Sequence, residues 1–305
     1  MKILKSYTHG FNKARVSVKI VSIIYGCTLL LGLIVFGTFN TQITGSVSAR
    51  MEMYKLLRDF DFTVYSDFMN NYGYIVRPFI TQLIWFGVFY FFFTVFFAGG
   101  VLKYFEGSSI KSKAQAFFAG SAKYFFRFLR LGIYVLLFQL IVFAIIALIF
   151  SSIFTKAVNT AAEPTIFTIL LIWLGLHLAF FILIFIISDY AKIILVKEDS
   201  KKVWHVLVTG FKFTFKKIYV VYPLYILLLI FPAALTLIYF GLDDVIGMRS
   251  GITVFVMLIV QQIFIWFRLF SKVWILGSEF ELFNNYLIER TQPLLTQEFL
   301  VDESL

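Results

Sequence analysis

The chain has 305 residues, of which 60% are apolar, 20% aromatic and 14% charged, and its formal net charge is +10. Soluble domains have about 45–50% apolar and about 25% charged residues, so this composition excludes a soluble domain and a disordered chain. Cys27 is the only cysteine, which excludes a disulfide scaffold. The composition is that of an integral membrane protein.

Six runs without a charged residue predict six membrane-spanning helices. A helix of about 20 apolar residues crosses about 30 Å of hydrocarbon, and the runs reach or approach that length. Barrel strands would alternate apolar and polar residues, whereas Ile141–Phe150 is apolar at every position, so helices are predicted. The predicted spans are about 20–40, 78–102, 131–155, 164–188, 218–242 and 251–272.

The basic residues predict the orientation of these spans. With the N-terminus inside, 21 of the 27 Lys and Arg residues fall on the cytoplasmic side, as the positive-inside rule requires. We therefore expect both termini in the cytoplasm and a multi-pass protein of a bacterial cytoplasmic membrane. This distribution accounts for the net charge without nucleic acid, and it favours anionic lipids on the cytoplasmic face as partners.

A weak repeat precedes spans 1, 3 and 5. Gly10, Gly120 and Gly210 are each followed by aromatic and basic residues and then by an outgoing span, which predicts three helical hairpins. Stretches 110–125 and 203–214 carry apolar residues at helical spacing, which predicts two cytoplasmic amphipathic helices at the membrane interface. The residues predicted to form a collar that binds lipid headgroups are Lys123, Arg127, Arg130, Lys212, Lys216 and Lys217.

The charge pattern changes near residue 278. Beyond that point the sequence has six acidic residues and one basic residue, Arg290. We therefore divide the chain into a six-span membrane domain, 1–278, and an acidic cytoplasmic tail, 279–305. The predicted fold class is an all-α polytopic bundle.

Three short motifs carry a resemblance to a known family. They are Gly99-Gly100-Val101, the collar that begins at Gly120, and the stretch from Asp189-Tyr190-Ala191 to Val196-Lys197-Glu198. With this layout the chain resembles bacterial six-helix membrane proteins related to the membrane domain of glycerophosphodiester phosphodiesterases. In that family the hydrolase activity belongs to a separate soluble domain, for which this chain has no room. The resemblance therefore implies a membrane module without the phosphodiesterase.

Two groups of polar residues within the spans are candidate sites. Asp189 and Arg268, at the cytoplasmic ends of spans 4 and 6, are expected to form an ion pair, since ionisable residues in a membrane segment usually have a partner. A polar layer at similar depth is expected from spans 3, 4 and 6, with a hydrogen bond to His177 from span 3 or span 6. Its members are Gln139, His177, Gln261 and Gln262.

No catalytic, phosphate-binding or metal-binding motif occurs in the sequence, and we expect no cofactor. The preferred hypothesis is a non-catalytic membrane module that serves as scaffold or accessory in a membrane or lipid-linked process, with a protein partner left open. The alternative is a transporter or channel for a small solute or a lipid that uses the polar layer. An enzyme acting on lipid through Asp189, Asp199 or His205 is the least favoured hypothesis.

Overall fold

The computed structural model of the protein describes residues 2–44, 61–107, 113–160, 163–247 and 250–302. Every regular element in these ranges is an α-helix, because long apolar runs without water as a partner satisfy their backbone groups internally. The eight helices in these described ranges are α1 (Lys2–Val16), α2 (Val18–Thr44), α3 (Phe62–Glu106), α4 (Lys113–Thr160), α5 (Glu163–Lys197), α6 (Val203–Lys216), α7 (Ile218–Ile246) and α8 (Gly251–Asp302).

Six of these helices, α2 to α5, α7 and α8, are long and apolar enough to cross a membrane. Large apolar side chains lie exposed in their middle portions, such as Leu148 and Leu237, which are 72% and 73% exposed. Apolar exposure on this scale suits contact with lipid tails and not with water. The chain is therefore an all-α, multi-pass membrane protein, as its composition predicts.

The helices run further than the predicted spans. Predicted span 2 starts at residue 78, but Pro78 lies inside α3, which begins at Phe62. The first predicted amphipathic stretch is continuous with span 3 in α4 from Lys113 onward, and residues 108–112 lie outside the described ranges. The second is a separate helix, α6, because Lys217 has non-helical backbone angles (φ −120°, ψ 22°) between α6 and α7.

The chain divides into two compact units. One comprises Met1–Val21 and Val95–Leu305, and the other comprises Ser22–Thr94. In the described part of the second unit, α2 and most of α3 supply long apolar segments. The candidate sites all lie in the first unit.

The core of the first unit lies at one end of its helices, near Gly120 and Gly210, which we call the collar end. The apolar residues between 184 and 196 that face inward are almost fully buried, whereas most of those between 167 and 181 are exposed. The largest fully buried side chains are all found at this end: Leu102, Phe117, Tyr124, Phe128, Leu131, Ile186, Tyr190, Ile193, Ile194, Leu195, Leu224 and Phe280.

Each glycine of the sequence repeat lies at a close crossing of two helices. A Cβ on Gly10 would lie 2.5 Å from Cα of Ser278, and a Cβ on Gly120 would lie 2.5 Å from Cβ of Lys103. The crossing at Gly210 is looser, because a Cβ on Gly210 would lie 3.1 Å from the backbone nitrogen of Ala191. Small residues permit such close approach of helices in membranes, so the repeat marks three helix contacts.

The N-terminal helix packs against the last helix. Trp274 Nε1 donates a hydrogen bond to the carbonyl oxygen of Tyr7 (3.1 Å), and Lys13 forms an ion pair with Glu281 (2.6 Å). Helix α8 continues without a break beyond residue 278, and Glu279 and Phe280 are each 1% exposed. The first residues assigned to the acidic tail are therefore packed within the unit, because the apolar spacing of α8 continues past the first acid.

Candidate functional site at the collar end

Two predicted collar residues of α4 bind the turn between α5 and α6. Lys123 Nζ and Arg127 Nη1 each contact a carboxylate oxygen of Asp199 at 2.7 Å, and Arg127 also donates to the Asp199 carbonyl oxygen at 3.1 Å. The hydrogen bond from Lys123, and then that from Arg127, lowers the pKa of Asp199 to about 2. Asp199 has φ 44°, a conformation that costs energy for a residue other than glycine, so these bonds hold a strained turn.

The other collar residues differ in their surroundings. Arg130, Lys212 and Lys216 are exposed. Lys217 is half-buried, and its Nζ lies 4.6 Å from the ring centroid of Tyr286, which is a cation–π contact. The exposed members are the ones whose charge faces away from the protein.

An apolar groove of about 210 Å³ lies between α4, α5 and α6. Trp204 lines the groove and packs edge-to-face on Tyr134, with ring centroids 5.7 Å apart. Arg130 lies one helical turn before Tyr134, and Lys212 lies one turn after Val208, which lines the groove, so basic residues flank an apolar cleft. The lining residues are Val135, Phe138, Ile184, Ile187, Trp204, Leu207, Val208 and Phe211.

The four residues of the expected polar layer lie on α4, α5 and α8. The ring of His177 on α5 packs edge-on against Phe143 of α4 at 5.0 Å, one turn from Gln139. In the described part of the chain, however, the buried side-chain nitrogen and oxygen of Gln139 and Nδ1 of His177 have no hydrogen-bond partner. On α8, Gln261 is exposed and Gln262 is half-buried. A layer that serves a transport path therefore stays a prediction.

Asp189 does not use its expected partner. Its Oδ1 pairs with Nζ of Lys192, one turn further along α5, at 2.6 Å. Arg268 lies on an exposed face of α8. Asp189 pairs with Lys192 and not with Arg268 because Lys192 lies at the i+3 position of the same helix, where the two side chains meet without any rearrangement of the packed helices.

The most unusual group at the collar end is Glu279. Its side chain is buried on α8, and neither carboxylate oxygen has a hydrogen-bond partner. Its helix packs against α5, which carries the ion pair of Asp189 and Lys192. The hydroxyl of Tyr190 is also fully buried without a hydrogen-bond partner.

Sequence reasoning missed Glu279 because it treated the first acid after span 6 as the start of a tail. A signal was available: Leu269, Phe270, Val273 and Trp274 are followed by Phe280 and Phe283 at helical spacing, and all six are buried. A carboxylate inside such a pattern lies on a packed helix.

In the ranges described, His, Cys, Asp and Glu residues form no group of three that could hold a metal ion. Asp199 pairs with two basic side chains, and His205 is exposed. No family model, curated protein or solved structure matches the chain.

Proposed function

We propose that the chain is a non-catalytic module of the bacterial cytoplasmic membrane that binds anionic phospholipid at its collar end, as a scaffold or accessory for a membrane or lipid-linked process. The observation that carries this proposal is the apolar groove beside exposed basic residues. An acyl chain fits walls formed by groups such as Val135, Trp204 and Phe211. A phosphate would be held by Arg130 and Lys212, each worth about 1 kcal/mol near an anionic surface.

This function requires the collar end to face the cytoplasm, with both termini on that side. The distribution of Lys and Arg supports this orientation. It also requires α6 and the first turns of α4 to lie near the lipid headgroups. The second and third predicted hairpins, which begin near Gly120 and Gly210, would place them there. The resemblance to six-helix membrane modules related to the phosphodiesterase membrane domain agrees with a role that involves lipid.

The test uses Trp204 as a reporter in the groove. The protein is reconstituted in phosphatidylcholine vesicles, and fluorescence quenching is compared between brominated phosphatidylglycerol and brominated phosphatidylcholine. Subtraction of the signal of a Trp204→Phe variant isolates Trp204. We expect stronger quenching by the anionic lipid, and Arg130→Gln or Lys212→Gln should each lower the preference about fivefold, the equivalent of about 1 kcal/mol.

Arg268→Gln is the matched control, because it removes an exposed charge from α8, which does not line the groove. It should leave the preference unchanged. Equal quenching of Trp204 by the two brominated lipids would refute the proposal.

A transporter or channel is the second candidate. The observation that favours it is that the side-chain nitrogen and oxygen of Gln139 and Nδ1 of His177, on neighbouring helices, are buried without a hydrogen-bond partner, since polar groups inside a membrane bundle often line a pathway. Uptake of labelled solutes into proteoliposomes, compared between the wild type and Gln139→Leu, distinguishes this candidate from the lipid-binding module. Uptake that is equal to that of empty vesicles rules it out.

A further inference from the structure

A second cavity lies at the collar end, where α1, α3 and α8 meet. Its volume is about 400 Å³, within the range of about 300–1,000 Å³ that is typical of small-molecule sites. Gly277 lets the three helices approach, since a Cβ there would lie 3.2 Å from the Gly10 carbonyl oxygen and 3.5 Å from the ring of Phe105. We call this cavity the α1 cleft. Its polar lining residues are His9, Asn12, Lys13, Tyr104 and Glu281.

The α1 cleft is lined by hydrogen-bonding groups that the protein does not use. The side chains of His9, Asn12 and Tyr104 form no hydrogen bond with any residue in the described part of the chain, and His9 and Asn12 are exposed to solvent. His9, Asn12 and Lys13 occupy positions i, i+3 and i+4 of α1, so their side chains lie on one helix face. Each can donate a hydrogen bond, as can the Tyr104 hydroxyl. The cleft therefore offers several donors to one bound group.

The charged groups beside the α1 cleft have an excess of one positive charge. Lys13 Nζ pairs with Glu281 Oε1 at 2.6 Å and lies 4.3 Å from the centroid of the buried Phe280 ring. The ammonium group of Lys197, at the end of α5, lies 4.7 Å from the same centroid. The two nitrogen atoms are therefore no more than about 9 Å apart, close to the Debye length of about 8 Å at physiological ionic strength. Two cations with one carboxylate favour the binding of an anion.

The acidic residues nearest in sequence to this cluster do not cancel the excess. Within the described ranges, Lys197 itself forms no ion pair. Glu106, at the end of α3, pairs with Lys103 at 2.6 Å, so that pair adds no net charge. Glu198 is exposed, and solvent and salt screen its charge. A bound anion is therefore needed to balance Lys197.

Glu281 adds a second requirement for the ligand. Its Oε1 is the atom that pairs with Lys13, so Oε2 can accept a hydrogen bond from a bound molecule. The aromatic rings of Tyr104 and Phe105, which also line the cleft, suit contact with a cation. A phosphate monoester with an amino group meets both requirements, because it carries about −1.5 to −2 on the phosphate and a positive charge on the amine. Its net charge is then close to −1 and opposite to the excess on the protein.

We propose that the α1 cleft binds a water-soluble phosphate monoester that carries an amino group. His9, Asn12 and Lys13 donate to the phosphate, with the Tyr104 hydroxyl as a further donor, and the amino group donates to Oε2 of Glu281. A phospholipid headgroup fits less well, because a phosphate diester with an amine has no net charge and leaves the excess positive charge in place. The cleft shares no residue with the apolar groove, so either proposal can fail without the other.

The first experiment is calorimetric titration of the full-length protein, in phosphatidylcholine nanodiscs, with O-phosphoethanolamine. We expect binding that weakens about threefold in His9→Ala and in Asn12→Ala, because each variant removes one hydrogen bond to the phosphate. Both side chains are exposed, so neither substitution disturbs the packing. Arg15→Gln is the matched control, since it removes an exposed charge from the same helix outside the cleft, and it should bind as the wild type does. No binding to the wild type, or an equal loss in Arg15→Gln, would overturn the proposal.

The second experiment compares O-phosphoethanolamine with inorganic phosphate. The wild type should bind O-phosphoethanolamine more tightly, because its amino group reaches Glu281. In Glu281→Gln this preference should be lost, and inorganic phosphate should bind roughly fivefold more tightly, because a negative charge has left the cleft. A gain in affinity cannot result from loss of folded protein. Unchanged affinity for inorganic phosphate in Glu281→Gln would refute the assigned geometry.

A third titration distinguishes the soluble ligand from a lipid headgroup. Phosphatidylethanolamine in the nanodiscs should leave the binding of O-phosphoethanolamine unchanged. If this lipid lowers the affinity for O-phosphoethanolamine, its headgroup occupies the cleft in the membrane, and the proposal of a water-soluble ligand is wrong.

Discussion

The crossing of α1 and α8 at Gly10 provides a sharp test of the packing. In Gly10→Ala the new methyl group would lie 2.5 Å from both N and Cα of Ser278, whereas carbon atoms in contact are normally about 3.5–4.0 Å apart. The helices would have to separate by about 1 Å. Overpacking of this kind costs about 1–3 kcal/mol, and the better helix propensity of alanine returns about 0.5–1 kcal/mol.

We therefore expect Gly10→Ala to destabilise the protein by about 1–2 kcal/mol. Heating in detergent while tryptophan fluorescence is recorded measures this effect, because Trp274 lies at the same crossing and donates to Tyr7. Gly175→Ala is the control, since nothing lies within 4 Å of the added Cβ, and Gly210→Ala should fall between the two. If Gly10→Ala and Gly175→Ala unfold at the same midpoint, the close crossing does not exist.

Three further outcomes are expected. Asp199→Asn should lower the free energy of unfolding by less than about 1 kcal/mol, since the Asp199 side chain is 51% exposed. A carboxyl group whose pKa is lowered by folding stabilises the folded state only above its pKa in the unfolded chain. The difference in melting midpoint between this variant and the wild type should therefore fade from about pH 4 to pH 2. His177→Leu should leave the midpoint unchanged or raised, because it removes a buried nitrogen that has no partner; a lowered midpoint would show that His177 hydrogen-bonds within the bundle. Reporter fusions after residues 60, 160 and 246 should report the outside and those after residues 110, 205 and 300 the cytoplasm, and one reversed pair would contradict the orientation.

The membrane character and the helical class follow from local sequence. Uninterrupted apolar runs such as Ile141–Phe150 leave the backbone no other way to satisfy its hydrogen bonds. The repeat of Gly10, Gly120 and Gly210 was also recognisable, but the sequence indicated only three hairpins, and the close helix crossings at these glycines are visible only in the structure. The three-hairpin arrangement and the interfacial position of α6 stay predictions.

What the sequence could not provide are the contacts between distant segments. Nothing near Asp199 in the chain indicates that Lys123 and Arg127 will bind it, and nothing near Tyr7 points to Trp274. The buried state of Glu279 is similar, because its surroundings come from α5 and α7 as well as from its own helix. An acidic residue after a span has the same local pattern whether it ends in water or in a core, and tertiary packing alone distinguishes the two.

The contact of α1 with α8 also constrains how the protein is made. Tyr7 and Trp274 are 267 positions apart, and at about 5–20 residues per second α8 is synthesised roughly 15–50 seconds after α1. During that interval α1 exists without its packing surface. A chain that stops before Gly251 has its first five predicted spans but lacks α8, so the surface that α1 packs against in the full-length protein is missing. Such a truncated chain therefore exposes the face of α1 that packs on Trp274 and Glu281 in the full-length protein.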